Sequence, residues 1–310
     1  MSEKQLFTPP YPLNTAVLFL VFNRPDTTRQ VFDAIRKAKP PRLYLAADGP
    51  REGKAGEARR VEEVREYVTQ NVDWDCEVKT LFREENLGCK YAVSSAITWF
   101  FDNEEQGIVL EDDCLPSQSF FWFCEEILEK YKNDLRVWHV GGTNPIDEKA
   151  SSSSYYFSNY NRIWGWATWR RAWSHYNAEI PDWPDLKRRN ILDDLLGGKE
   201  GNKYKKIFDD VYTGKIDTWD YQWFLIRLLH GAAIIPKVNL ISNIGFGAEA
   251  THTLDVESRL SRLSRGEILF PLEHPRYFIV DANRDRKWRE FTSSESSLVN
   301  RILKKLGVPR

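Results

Sequence analysis

The sequence predicts an α/β protein, with a mostly parallel sheet flanked by helices and a more helical second half. Two observations carry this prediction. Apolar runs suited to buried strands, at residues 16–22, 43–47, 77–82 and 107–110, alternate with helical stripes four times over, as in parallel strands joined by right-handed crossover helices. Each run also ends in a polar turn, and these turns fall on one edge of the sheet, where open α/β sheets bind ligands.

Taken in order, the run Ala16-Val17-Leu18-Phe19-Leu20-Val21-Phe22 stops at Asn23-Arg24-Pro25-Asp26. Pro25 suits the first turn of a helix carrying Val31, Phe32, Ile35 and Ala38. Leu43 to Ala47 runs into Asp48-Gly49-Pro50, and a helix from Glu57 to Thr69 aligns Val61, Val64 and Val68. Glu77 to Phe82 leads to Asn86-Leu87-Gly88, where a glycine at a helix start lets backbone N–H groups approach a phosphate, or serves simply as a cap.

The fourth run, Gly107-Ile108-Val109-Leu110, enters Glu111-Asp112-Asp113, three adjacent carboxylates. Isolated charge runs are ordinarily solvated. Here a buried strand precedes the triplet, while Pro116 and a capping Ser117 follow it, ahead of a helix bearing Phe120, Phe121, Cys124, Ile127, Leu128 and Tyr131. Like charges packed together are best tolerated where a cation or polar ligand spreads them, so the triplet is expected to form a metal or nucleotide site.

The totals set limits. A chain of 310 residues buries about three quarters of its unfolded surface. The 44 basic and 45 acidic residues leave a net charge of −1, which argues against a whole-molecule grip on nucleic acid. Cys76, Cys89, Cys114 and Cys124 show neither a CxxC pair nor zinc spacing, as expected of free thiols in a reducing compartment. The N-terminus has no signal-peptide pattern and no run reaches the ~20 apolar residues of a membrane span, so a cytoplasmic protein is expected.

Beyond Arg136 the character changes. Val137 to Gly142 reads as another strand with Thr143-Asn144 at its exit, and Ser151 to Ser154 as a loop. Trp166, Trp169 and Trp173 fall at helical steps, so one helical face is expected to be aromatic, whether core or binding surface. Trp164 and Trp166 flank Gly165, and flat rings with a donor N–H suit sugar faces. Residues 182–214 read as two short charged helices. Asp217 or Thr218 is expected to cap the next helix, leaving Asp220 in its first turn, where carboxylates often sit for stability alone. The stretch 243–253, with Gly245, Gly247 and His252, suggests a loop that closes over a ligand. A basic amphipathic helix at Ser297 to Leu306 is expected to pack on the rest of the chain, with peripheral contact to an anionic membrane as the minority reading.

In their order, Val17 to Arg24, Ala46-Ala47-Asp48-Gly49, Glu85-Asn86-Leu87-Gly88 and Val109-Leu110-Glu111-Asp112-Asp113 resemble the nucleotide-sugar half of GT-A fold glycosyltransferases. With Trp164-Gly165-Trp166, Trp219-Asp220 and Phe246 through His252, the series is similar to the N-acetylglucosaminyltransferase I family and to family 2-like bacterial glycosyltransferases. The resemblance implies one GT-A domain with a nucleotide-sugar half (15–140), an acceptor half (141–260) and a C-terminal extension (261–310). It implies that Asn23, Arg24, Asp48, Asn86, Gly88, Glu111 and Asp112 bind the donor, with Asp48 at the nucleobase, Arg24 near the diphosphate, Glu111 at the sugar and Asp112 at the ribose. Asp113, with His252 at metal or phosphate, would hold Mn or Mg; Asp220 would be the base of an inverting transfer; Asn144, Trp164, Gly165 and Trp166 would face a glycan or other hydroxyl acceptor. A sugar-phosphate nucleotidyltransferase is the alternative, disfavoured because Asn23-Arg24-Pro25 stands where a Gly-rich loop with a basic residue is expected; a non-catalytic carbohydrate-binding protein is another.

Overall fold

The computed structural model describes residues 7–146, 152–246 and 263–305, with side chains as far as residue 293. The first half alternates as expected: β1 (Val17–Val21), α1 (Pro25–Ala38), β2 (Arg42–Ala47), α2 (Glu57–Gln70), β3 (Glu77–Phe82), α3 (Gly88–Asn103) and β4 (Gln106–Glu111). Then come β5 (Cys114–Pro116), α4 (Ser119–Tyr131), β6 (Val137–Gly141), β7 (Tyr155–Ser158), β8 (Trp166–Trp169) and α5 (Arg170–Trp173). The remainder is α6 (Trp183–Arg188), α7 (Ile191–Leu196), α8 (Gly198–Tyr212), α9 (Asp220–His230), β9 (Ala232–Pro236), β10 (Ile241–Asn243) and α10 (Ala282–Lys305).

One eight-stranded sheet runs β3-β2-β1-β4-β8-β6-β9-β7. Neighbours among β3, β2, β1 and β4 are parallel, β8 is antiparallel to both β4 and β6, β9 is parallel to β6, and β7 closes the far edge antiparallel. The chain is therefore an α/β protein with a mixed, mostly parallel sheet. The chain leaves β1 for β2 and β3 on one side and crosses back from β3 to β4 on the other, so the order reverses between β1 and β4, the place where open α/β sheets form a ligand crevice at the strands' carboxyl ends.

Strand alternation divides the core. Val17, Phe19 and Val21 pack with α1, α2 and α4 on one face; Leu18 and Leu20 pack with α3, Trp166, Trp173 and α9 on the other. A third apolar cluster ties α6, α7 and α8 to α9 through Trp183, Leu192, Phe208 and Phe224. Among the described residues no helix is long and apolar enough to cross a membrane.

Three expectations are corrected. Trp166 to Trp169 form strand β8, not a helix; all four residues are buried, which erases the alternation that marks a half-exposed strand. Ser117 does not cap α4: Gln118 stands at the cap position, and the Glu267 carboxylate accepts the N–H groups of Gln118 (3.2 Å) and Ser119 (2.8 Å). Residues 182–214 hold three helices rather than two. The C-terminal helix begins at Ala282, and its first turns dock through Asp285, which accepts bonds from Ser158 Oγ (2.6 Å) and Asn159 N–H (2.9 Å). The basic face expected at 297–306 lies beyond the described side chains.

Candidate functional site

The crevice between β1 and β4 collects the acidic triplet. Glu111 is the last residue of β4, so Asp112 and Asp113 form the turn beyond it. Arg24, at the exit of β1, places Nη1 2.9 Å from Asp113 Oδ2 and 3.8 Å from Asp112 Oδ1. The Phe22 N–H donates to Asp112 Oδ2 at 3.3 Å. Burial raises the Asp112 pKa to about 7, helped by the neighbouring Asp113 charge and opposed by Arg24. Glu111 is pushed well above the carboxylate range, first by burial and then by the fields of Asp113, Asp112 and Asp220. Asp220, from the second half of the chain, is thus near enough to Glu111 to add its charge to that of the triplet.

Asn23 points elsewhere. Its amide donates to Glu57 Oε1 at 2.9 Å, and Arg51 grips the same buried carboxylate through its side chain and its N–H (2.7 Å). This cluster pins the β1 exit to the start of α2.

The amino end of α3 is closed by acids. Asp48 accepts N–H groups from Gly49 (3.0 Å), Leu87 (3.0 and 3.1 Å) and Gly88 (3.2 Å). Asp217, from the second half, accepts those of Cys89 (3.2 Å) and Lys90 (3.1 Å). All four donors that a helix start leaves unbonded are occupied, so the phosphate cradle expected at Gly88 is filled by carboxylates. Burial raises the Asp48 pKa, and these same N–H bonds hold it down. With its oxygens bonded to backbone, Asp48 acts as a clasp between β2 and α3, and Asn86 Nδ2 completes the loop on Gly49 O at 2.7 Å.

On the acceptor side, Asp220 opens α9 and accepts a bond from the Thr218 hydroxyl. The preceding Trp219 is buried and stacks on Trp166, centroids 5.6 Å apart at 20°. Trp166 is 0% exposed and also stacks on His139 at 5.2 Å. Its ring fixes the entry to α9 and offers no face to an acceptor. Asn144 is likewise structural: Nδ2 donates to Pro236 O (2.9 Å) and Lys237 O (3.2 Å), and Oδ1 accepts from Ile146 N–H (3.0 Å). Gly165, at φ +60°, packs its backbone against Ile241. Trp164 keeps part of its ring exposed, meeting Phe246 edge-on at 5.7 Å. His252 lies outside the described residues.

The sequence reading missed Asp217's bond to α3, assigning it to α9, and missed Gly245. The Ile244 N–H donates to the Asp113 carbonyl at 2.8 Å, and a side chain at Gly245 would overlap the Asp113 carboxylate. A glycine two residues past the end of the short strand β10 was the available signal for that close approach. Among the described residues no group of three or more His, Cys, Asp or Glu is arranged to hold a metal unaided. A shallow cavity of about 600 Å³ lies away from the crevice, lined by residues that include Asn14, Glu125 and His274.

No protein-family model matches the sequence, and no curated protein matches it. Among solved structures, HddC from Yersinia pseudotuberculosis is similar at 11% identity over 51% of this chain and 77% of that one, with a TM-score of 0.32. S. aureus TarS 1-349 is similar at 9% identity over 74% of this chain and 59% of that one, TM-score 0.40. The glycosyltransferase GlyE of Streptococcus pneumoniae TIGR4, in its apo form, is similar at 11% identity over 71% of this chain and 44% of that one, TM-score 0.34.

Proposed function

We propose that this chain is a metal-dependent inverting glycosyltransferase of the GT-A type, moving a sugar from a nucleotide donor, UDP by preference, to a hydroxyl of a glycan or other acceptor. The observation that carries the reading is the environment of Glu111. It stands at a strand-order reversal beside Asp112, Asp113 and Arg24, and the charge of Asp220, from the other half of the chain, pushes its pKa up further. Binding modules need no such added acid.

In this reading Arg24 and Asp113 address the donor's diphosphate, Glu111 and Asp112 its sugar and ribose, and Trp164 the acceptor. Asp220 takes the proton of the acceptor hydroxyl as that oxygen bonds to the anomeric carbon. The bond from that carbon to the phosphate oxygen breaks on the opposite face, and its electron pair leaves with the diphosphate. The donor set suits Mg or Mn, hard ions often held by one or two carboxylates plus substrate phosphates. Asp113 would hold the ion, which when bound would neutralise charge building on the diphosphate.

The test is a panel of UDP-sugars assayed for UDP release with and without EDTA. Release that EDTA stops and Mn restores is the expected result. Pyrophosphate released from UTP and a sugar 1-phosphate in a parallel assay instead assigns a nucleotidyltransferase; neither product assigns a binding protein.

A further inference from the structure

Asp217 stands three residues before Asp220, in the loop that enters α9, yet it does not cap its own helix. Trp219 is the α9 N-cap and makes no side-chain cap bond. Asp217 gives both oxygens to the other half of the chain, Oδ2 accepting Cys89 N–H at 3.2 Å and Oδ1 accepting Lys90 N–H at 3.1 Å. These are charge-assisted bonds at a helix amino end, among the stronger contacts a carboxylate can make. The approach requires a glycine at 88, where a Cβ would lie 2.8 Å from Asp217 Oδ2 and φ is +75°.

The next residues continue the anchorage. The Thr218 hydroxyl bonds Asp220, and Trp219 stacks on Trp166 of the sheet. The first turn of α3 is also common ground for both halves: the Cys89 thiol is pushed up to about 12 by burial and by the charges of Glu111, Asp220, Asp217 and Asp48. Asp217 therefore ties the helix that presents Asp220 to the first turn of α3, whose Leu87 and Gly88 N–H groups are bonded to Asp48 at the end of β2.

We propose that Asp217 is a positioning residue: by clasping the Cys89 and Lys90 N–H groups it sets where Asp220 stands relative to Glu111. The inference rests on Asp220 being the base. A misplacement of about 1 Å can cost ~100-fold in rate, so the clasp is expected to matter for turnover rather than for donor affinity.

The experiment compares Asp217→Ala and Asp217→Asn on the full chain, measuring kcat and KM separately, UDP affinity by calorimetry, and backbone amide exchange at Cys89 and Lys90. Asp217→Ala is expected to lower kcat by ~10- to 100-fold, to leave UDP affinity unchanged, and to deprotect both amides. Asp217→Asn is expected to recover part of the rate, because its Oδ1 still accepts one N–H. Wild-type kcat in Asp217→Ala, or equal losses of kcat and UDP affinity, overturns the proposal. If the wild-type protein releases no nucleotide from any donor, the glycosyltransfer reading fails separately. Amide exchange still decides the clasp in that case, and unchanged protection in Asp217→Ala overturns it.

Discussion

Two sets of carboxylates border one crevice and meet opposite fates. Asp48 and Asp217 are saturated by backbone N–H groups at the start of α3. Asp112 and Asp113 share the Arg24 guanidinium, and Glu111 beside them is buried among like charges. The first set has its compensating charge built in; the second is left short of it. An acidic residue at a strand end is thus a ligand site only where the fold has not already spent its own donors on it. The contrast also bears on the proposed donor: with α3's amino end closed, its phosphates would be left to Arg24 and to the cation proposed at Asp113.

The largest effect that can test this contrast is at Asp220. Asp220→Asn is expected to lower turnover by ~100- to 10,000-fold, the worth of a general base, with UDP affinity retained in calorimetry. Equal loss of affinity would make Asp220 a donor contact instead. Next comes Asp113→Ala, expected to remove the Mn-dependent part of UDP binding, a loss of ~10- to 100-fold if it matches the usual weight of groups around a metal. A Mn-dependence of UDP binding that survives Asp113→Ala undiminished would move the cation away from the triplet.

Much of this was legible in the sequence, for a physical reason. Val17 to Val21 and Leu43 to Ala47 are continuous apolar runs closed by Pro25 and by Gly49-Pro50, and such runs report strands and their ends locally. The crowding of charge at the triplet was legible too, because three carboxylates after a buried strand conflict with burial. What stayed hidden was who bonds whom at a distance. Asp48 and Asp217 look like any strand-end or pre-helix acids, and their use as caps depends on α3 arriving 39 and 128 residues away in the chain. Trp166 and Trp169 misled because buried-strand residues on both faces are apolar, so their spacing fits a helix equally well.

Asp48 gives a smaller test of the same contrast. As a cap it should contribute about 1 kcal/mol, within ~0.5 to 2, so Asp48→Ala is expected to lower the urea midpoint while leaving UDP affinity intact. Affinity lost at unchanged stability would return Asp48 to the nucleobase.

The last effect, on stability alone, is one that acid removes, at Glu57. Arg51 and the Arg51 N–H hold its pKa down from 4.5 to about 2, with Asn23 adding a further bond. A depressed carboxylate pKa means that the unfolded chain binds the proton more readily than the folded one, so the stabilisation is complete above pH 4.5 and disappears as pH falls through about 2. Asp112, raised to about 7, responds in the opposite sense, which is the contrast between satisfied and strained acids expressed in protons. Urea midpoints of wild type and Glu57→Gln should therefore differ near neutral pH and converge towards pH 2. A gap of the same size at both ends would mean that Glu57 stabilises the β1 exit through packing and hydrogen bonding alone, with no contribution from its charge.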